Sequence, residues 1–116
     1  MLIGKLSDFG IHSVIITGRT SKIVERRAEE LKINSLYQGI DNKIDILDKL
    51  IEITGIEKSE VAYIGDDIND LECMKVCGIV GCPNDAVKEV KEISHFISNF
   101  NGGDGAVREF IEWIIG

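Results

Sequence analysis

Proline occurs once in the 116 residues, as Pro83, and cysteine three times, as Cys73, Cys77 and Cys82. One proline leaves almost the whole chain open to regular secondary structure. Three cysteines cannot close a disulfide framework, and Cys73 and Cys77, spaced i, i+4, lack the further ligands that a zinc site requires. Buried free thiols in a reducing cytoplasm are the reading that remains. Cations are also scarce, with 13 Lys and Arg against 20 Asp and Glu and a formal charge of −7. That balance argues against nucleic acid and against an anionic membrane surface, since either partner needs clustered basic residues. There is no apolar run of about 18 residues and no signal-peptide pattern, so neither membrane insertion nor secretion is supported. A composition of 44% hydrophobic and 28% charged residues does allow a soluble domain over residues 1–116, with one modest core.

The most informative stretch runs Val61–Ala62–Tyr63–Ile64–Gly65–Asp66–Asp67–Ile68–Asn69–Asp70. Its apolar beginning predicts a buried strand, and Leu71, Met74 and Lys75 begin a helix behind it. The acids then fall at a strand's carboxyl end, the rim where open α/β sheets bind ligands. Carboxylates crowded there repel one another until a cation neutralises them, and oxygen donors suit a hard ion, above all Mg²⁺. Asp66 and Asp67 are the candidate metal ligands. For Asn69 and Asp70, capping of the following helix is an equally good account.

Ser13–Val14–Ile15–Ile16–Thr17–Gly18–Arg19 repeats that logic with different chemistry, a β-branched strand stopping at a hydroxyl, a glycine and a guanidinium. Thr17, Gly18 and Arg19 are candidate phosphate binders if the next helix points its amino end inward; an ordinary strand-to-helix turn is the plainer account. Asn34–Gly39 predicts a short strand, and Asp41 or Asn42 opens a helix with Ile44, Leu47, Leu50 and Ile51 inward and Gly55 as its stop. Lys43 lies in the first turn of that helix, the unfavourable end for a cation unless an anion or carboxylate stands nearby.

Elsewhere, Met1–Phe9 has helical apolar spacing, Gly78 ends the helix after the acids, and Ile79–Cys82 predicts a strand followed by a turn at Pro83–Asp85. His95–Ser98 reads as an edge strand, with His12 and His95 as structural or surface residues. Asn101–Gly105 reads as a mobile loop, and Val107, Phe110, Ile111, Ile114 and Ile115 give a final helix its apolar stripe. Strictly alternating helices and strands predict a parallel sheet with helices on both faces. Asp8–Phe9–Gly10 spells a kinase metal motif without any of its companion signatures.

Ile15–Ile16–Thr17–Gly18–Arg19, Lys43 after Tyr37–Gln38–Gly39, and Gly65–Asp66–Asp67–Ile68–Asn69–Asp70 together resemble three of the four motifs of the haloacid dehalogenase superfamily. The chain is most similar to the small, capless branch that includes 3-deoxy-manno-octulosonate-8-phosphate phosphatase and the phosphatase-like domain attached to some acylneuraminate cytidylyltransferases. Ser21–Lys22–Ile23–Val24–Glu25–Arg26–Arg27–Ala28 and the stretch from Gly102 to Glu109 resemble that branch too. The resemblance implies a three-layer Rossmann-like fold and Mg²⁺-dependent hydrolysis of a small phosphorylated sugar acid by a cytoplasmic homo-oligomer, a tetramer. It implies that Thr17, with Gly18 and Arg19, binds the transferring phosphoryl group. Lys43 would stabilise that group, Asp66 would ligate Mg²⁺, and Asp67 would support the metal shell.

The family's first motif, a strand ending in Asp-x-Asp, has no counterpart in the sequence. Its first Asp is the nucleophile in the family, and no Asp here follows a strand so as to replace it. The expectation is therefore a fold lacking the first family strand, with a vacancy between the strands around Ser13–Thr17 and Val61–Gly65, and a chain inactive alone. A non-catalytic binding or assembly module is the alternative. A phospho-receiver domain fits less well, because its acidic pair precedes its lysine, whereas here the acids follow Lys43.

Overall fold

The computed structural model describes residues 14–16, 22, 26, 29, 35–102 and 105–116, in two compact units, Met1–Lys43 and Ile44–Gly116. In the first unit, β1 (Val14–Ile16) and β2 (Ser35–Tyr37) pair in parallel, Val14 opposite Ser35 and Ile16 opposite Tyr37. Lys22, Arg26 and Glu29, between them in sequence, are helical and exposed. That is the crossover a parallel pair needs. The helix expected over Met1–Phe9 lies outside the described residues.

Helix α1 (Lys43–Thr54) carries the chain into the second unit with Leu47 buried and Ile44, Leu50 and Ile51 half-buried. Gly55 ends it at φ +73°, its N–H donating to the Ile51 carbonyl, as the glycine stop predicted. A 3₁₀ turn at Lys58–Glu60 then leads into β3 (Ala62–Ile64). Val61, expected in that strand, instead closes the 3₁₀ turn, its N–H donating to the Lys58 carbonyl.

After a second 3₁₀ turn at Ile68–Asp70 come α2 (Leu71–Val76), β4 (Ile79–Cys82), α3 (Lys88–Ile93), β5 (Phe96–Ile97) and α4 (Ala106–Ile115). The sheet order is β3-β4-β5, all parallel, with β5 at the edge. Among the described residues β3 has a ladder on one side only, with β4, and β1 on one side only, with β2.

Strand β4 sets the layers of this unit, because alternate residues of a strand point to opposite faces. Val80 and Cys82 join Met74, Ala86 and Val90 in a buried cluster formed with α2 and α3. Gly81, facing the other way, lies against the ring of Phe110 on α4; an added Cβ there would sit 2.5 Å from Phe110 Cε1. Phe96 stacks on Trp113 at 4.9 Å and extends that second layer. Helices thus cover both faces of the sheet, as the alternation predicted.

The apolar stripe of α4 needs one correction. Ala106 is buried and Val107 is 46% exposed, so the inward face is Ala106, Phe110 and Ile111. Cys73 and Cys82 are buried and outside any disulfide as expected, whereas Cys77 is only half-buried. Gly78 does more than end a helix. A Cβ there would lie 1.9 Å from the Ser59 carbonyl oxygen, and its N–H donates to the carbonyls of Lys58 and Val61.

Candidate functional site

The β3–β4 ladder continues one residue past the strand, with the Gly65 N–H donating to the Gly81 carbonyl at 3.1 Å. The chain then turns back on itself, and Gly65 makes that possible. A Cβ on Gly65 would lie 2.6 Å from Asp70 Cβ and 2.8 Å from Asp70 Cγ, so the space above Gly65 is filled by the Asp70 side chain.

Asp70 is only 2% exposed. Its Oδ2 accepts the N–H groups of Asp66 at 3.0 Å and Asp67 at 3.2 Å, and its Oδ1 accepts the Tyr63 hydroxyl at 2.7 Å. A buried carboxylate is tolerated only when donors surround it, and Asp70 has donors on both oxygens. Burial first, and then the Asp70 charge, push the Tyr63 phenol far above its ordinary value, so it stays protonated and donating.

Asp67 begins the 3₁₀ turn in extended backbone, φ −132° and ψ 170°, and its Oδ1 accepts the Ile68 N–H at 2.7 Å. The Asp67 side chain also accepts the Asp70 N–H while the Asp70 carboxylate accepts the Asp67 N–H, so the two acids cap the turn reciprocally. The capping residue is therefore Asp67. Of the two residues the sequence offered for that task, Asp70 stands at the N-cap of α2 but makes no side-chain cap bond, and Asn69 is exposed.

Asp66 is exposed, and its backbone is held from both sides. Its N–H donates to Asp70 and its carbonyl accepts the N–H of Val87, the N-cap of α3, at 3.0 Å. The acidic rim thus rests on a fixed backbone, with Asp66 and Asp67 at the carboxyl end of β3 as expected.

Among the described residues no group of three or more His, Cys, Asp and Glu is arranged to hold a metal ion. The donors present are carboxylate oxygens on exposed residues, with one Asp67 oxygen committed to the Ile68 N–H. This fits an ion that keeps most of its water and takes one or two carboxylates, which is the habit of Mg²⁺. Lys43 opens α1, half-buried, in the first unit. Thr17, Gly18 and Arg19 lie outside the described residues. Asp66 and Asp67 are therefore the two predicted site residues that the second unit brings together.

Sequence reasoning missed Tyr63, Asp70 and Val87 as supports of the rim. Tyr63 is indistinguishable from a core aromatic until its hydroxyl finds a partner seven residues on. The available signal was Gly65, a glycine between a strand and a carboxylate-rich turn, which marks a close approach as well as a stop. His95 is structural, as read: its Nδ1 accepts the Val80 N–H at 2.9 Å and its own N–H donates to the Val80 carbonyl at 2.8 Å. The side chain in effect adds a rung to the β4–β5 ladder.

A family model for haloacid dehalogenase-like hydrolases matches residues 35–111. The 3-deoxy-D-manno-octulosonate 8-phosphate phosphatase of Yersinia pestis is 37% identical over 105 residues, covering 90% of this chain and 56% of that protein. The Escherichia coli K12 enzyme of the same name matches with the same identity and coverage. The chain thus spans about half the length of the curated relatives it matches. Among solved structures, the Moraxella catarrhalis phosphatase of that name, in complex with magnesium, phosphate and KDO, superposes with a TM-score of 0.91 at 40% identity. That match covers 98% of this chain and 66% of the other. The cobalt-bound Haemophilus influenzae phosphatase gives 0.88 at 32% identity, over 98% of this chain and 67% of the other.

Proposed function

The chain belongs to the haloacid dehalogenase-like hydrolases, and from that premise we propose that its 116 residues carry the metal-binding and phosphate-binding residues of a Mg²⁺-dependent phosphomonoesterase. The parallel α/β sheet is the Rossmann-like fold of that family. The observation that carries the reading is the acidic rim, where Asp66 is presented at the end of β3 on a backbone gripped at both its N–H and its carbonyl. In this reading the 116 residues form one phosphatase domain, and the substrate is a small phosphorylated sugar acid like those named for the relatives.

Asp66 and Asp67 would hold Mg²⁺, which when bound neutralises charge on the transferring phosphoryl oxygens. Thr17 donates its hydroxyl to those oxygens, and Gly18 and Arg19 complete the phosphate contact. Lys43 adds a cation against the charge that grows in the transition state. Asp70 takes no part in the chemistry; it keeps the loop in shape. The nucleophile of the family is the first Asp of an Asp-x-Asp pair, and no such pair occurs in these 116 residues. The covalent aspartyl-phosphate step therefore needs a carboxylate from outside them.

A phosphate-release assay with sugar-acid phosphates and Mg²⁺ tests the reading. The chain alone is expected to give no turnover while still binding Mg²⁺. Turnover by the 116 residues that Asp66→Ala abolishes would overturn the absent-nucleophile part of the proposal. A second reading, a non-catalytic assembly module, is favoured by the one-sided ladders of β1 and β3 among the described residues, since open strand edges invite strand addition. Sedimentation tests this second reading: a concentration-independent monomer removes the module.

A further inference from the structure

The relation between Tyr63, Asp70 and the rim goes beyond supporting the fold. The Asp70 carboxylate sits over Gly65, and no other oxygen described in the chain accepts the N–H groups of both Asp66 and Asp67. The Tyr63 hydroxyl, carried on the middle residue of β3, fixes the other oxygen of the same carboxylate at 2.7 Å. A bidentate grip of this kind leaves the carboxylate little freedom to rotate, and two backbone amides follow its orientation. Val87 completes the hold from the carbonyl side of Asp66.

We propose that Tyr63 and Asp70 are positioning residues for the metal site, with Tyr63 orienting the Asp70 carboxylate and Asp70 orienting the backbone that carries Asp66 and Asp67. The proposal rests on the metal reading of Asp66 given above. It assigns Asp70 a role distinct from ligation, although it is an acid in an acidic motif. Both of its oxygens are occupied by protein donors and the residue is buried, so it acts on the ion only through the main chain. Groups that orient metal ligands commonly matter to affinity almost as much as the ligands do. Tyr63 lies on the strand, outside the acid-rich sequence by which such sites are recognised.

The test is a Mg²⁺ titration of the full chain at constant ionic strength, followed by amide NMR, with hydrogen exchange read at Asp66 and Asp67. Tyr63→Phe deletes one oxygen and keeps the ring. It is expected to weaken Mg²⁺ binding about tenfold and to speed amide exchange at both aspartates. Asp70→Asn, which cannot present two acceptor oxygens, should weaken it at least as much. Ile111→Ala, a core truncation on α4 outside the cluster that holds Tyr63 and Val87, controls for stability alone. It should lower the urea midpoint while leaving the Mg²⁺ affinity intact.

Unchanged Mg²⁺ affinity in Tyr63→Phe would overturn the proposal. If Asp70→Asn alone abolished binding, Asp70 would be a ligand and the proposal would again fall. In both cases a loss of binding in Asp66→Asn would leave the metal reading standing. A parent chain whose amides show no saturable response to Mg²⁺ would remove the metal reading itself, and the positioning role with it.

Discussion

Two neighbouring carboxylates, Asp66 and Asp67, stand exposed at the end of β3, and in the absence of a cation each raises the energy of the other. Asp66→Asn should therefore raise the metal-free melting temperature slightly and remove most of the gain that Mg²⁺ brings. Thermal melts of both proteins with and without the ion check this, and an unchanged metal response in the variant would show that the ion binds elsewhere. Cys77 gives a separate handle on the alkaline side. Burial, with the neighbouring Cys73 second, pushes its thiol up to about 11 from an ordinary 9.0. Above pH 9 the unfolded chain sheds this proton while the folded chain keeps it, so unfolding gains and stability falls as pH rises towards 11. Cys77→Ala should flatten that fall, which urea midpoints measured across the range would read out. At this scale the sequence disclosed residue types and their order but not their partners. Asp66 and Asp67 could be placed from the strand that precedes them. The contacts of Asp70 with Tyr63 and with the two amides depend on a turn geometry that only the folded backbone defines.

Elements were easier to read than contacts wherever one strong physical signal marked them. Strand β4 was expected over Ile79–Cys82 and occupies those residues, because a short β-branched run stands between a glycine and the only proline. Helix α1 ends where Gly55 allows φ +73°. Helix α4 was misjudged by one position because alanine contributes little to apolar periodicity, so Ala106 was overlooked and the exposed Val107 preferred. Gly78 shows how one residue can serve two purposes. Its place after α2 suggested a stop, but its deeper requirement is the Ser59 carbonyl lying where a Cβ would go. Gly78→Ala should separate the 3₁₀ turn at Lys58–Glu60 from the start of β4 and cost about 1–3 kcal/mol, as overpacking does. A urea-unfolding series checks the figure, and a small gain in stability, the outcome expected if Gly78→Ala only lowered the backbone entropy of the unfolded chain, would rule out the close approach.

For the molecule as a whole, charge is the dominant quantity. A chain at −7 gains from any cation, but specific binding and general screening differ in how they scale. Mg²⁺ at ten times its dissociation constant should stabilise the fold by about 1.4 kcal/mol, or roughly 5–10 °C in melting temperature for a domain of this size. Sodium chloride of equal ionic strength should give much less, and differential scanning fluorimetry in the two salts distinguishes them. The parallel α/β class was legible because strict alternation of strands and helices admits few other arrangements, whereas the β3-β4-β5 order was not, since alternation leaves open which strands are neighbours. The tie between helix α3 and the acidic rim was not legible, since it runs through a main-chain bond from Val87 that no side-chain pattern announces. Val87 sits at φ −64°, the angle a proline ring imposes, and donates one hydrogen to Asp66 while its side chain packs against the core. The rim can therefore be retuned from behind: a proline in that position would suit the helix start and release the Asp66 carbonyl. If Asp66 and Asp67 hold Mg²⁺ as proposed, inherited variation at this uncharged residue would be felt as a change in how firmly the rim keeps the ion.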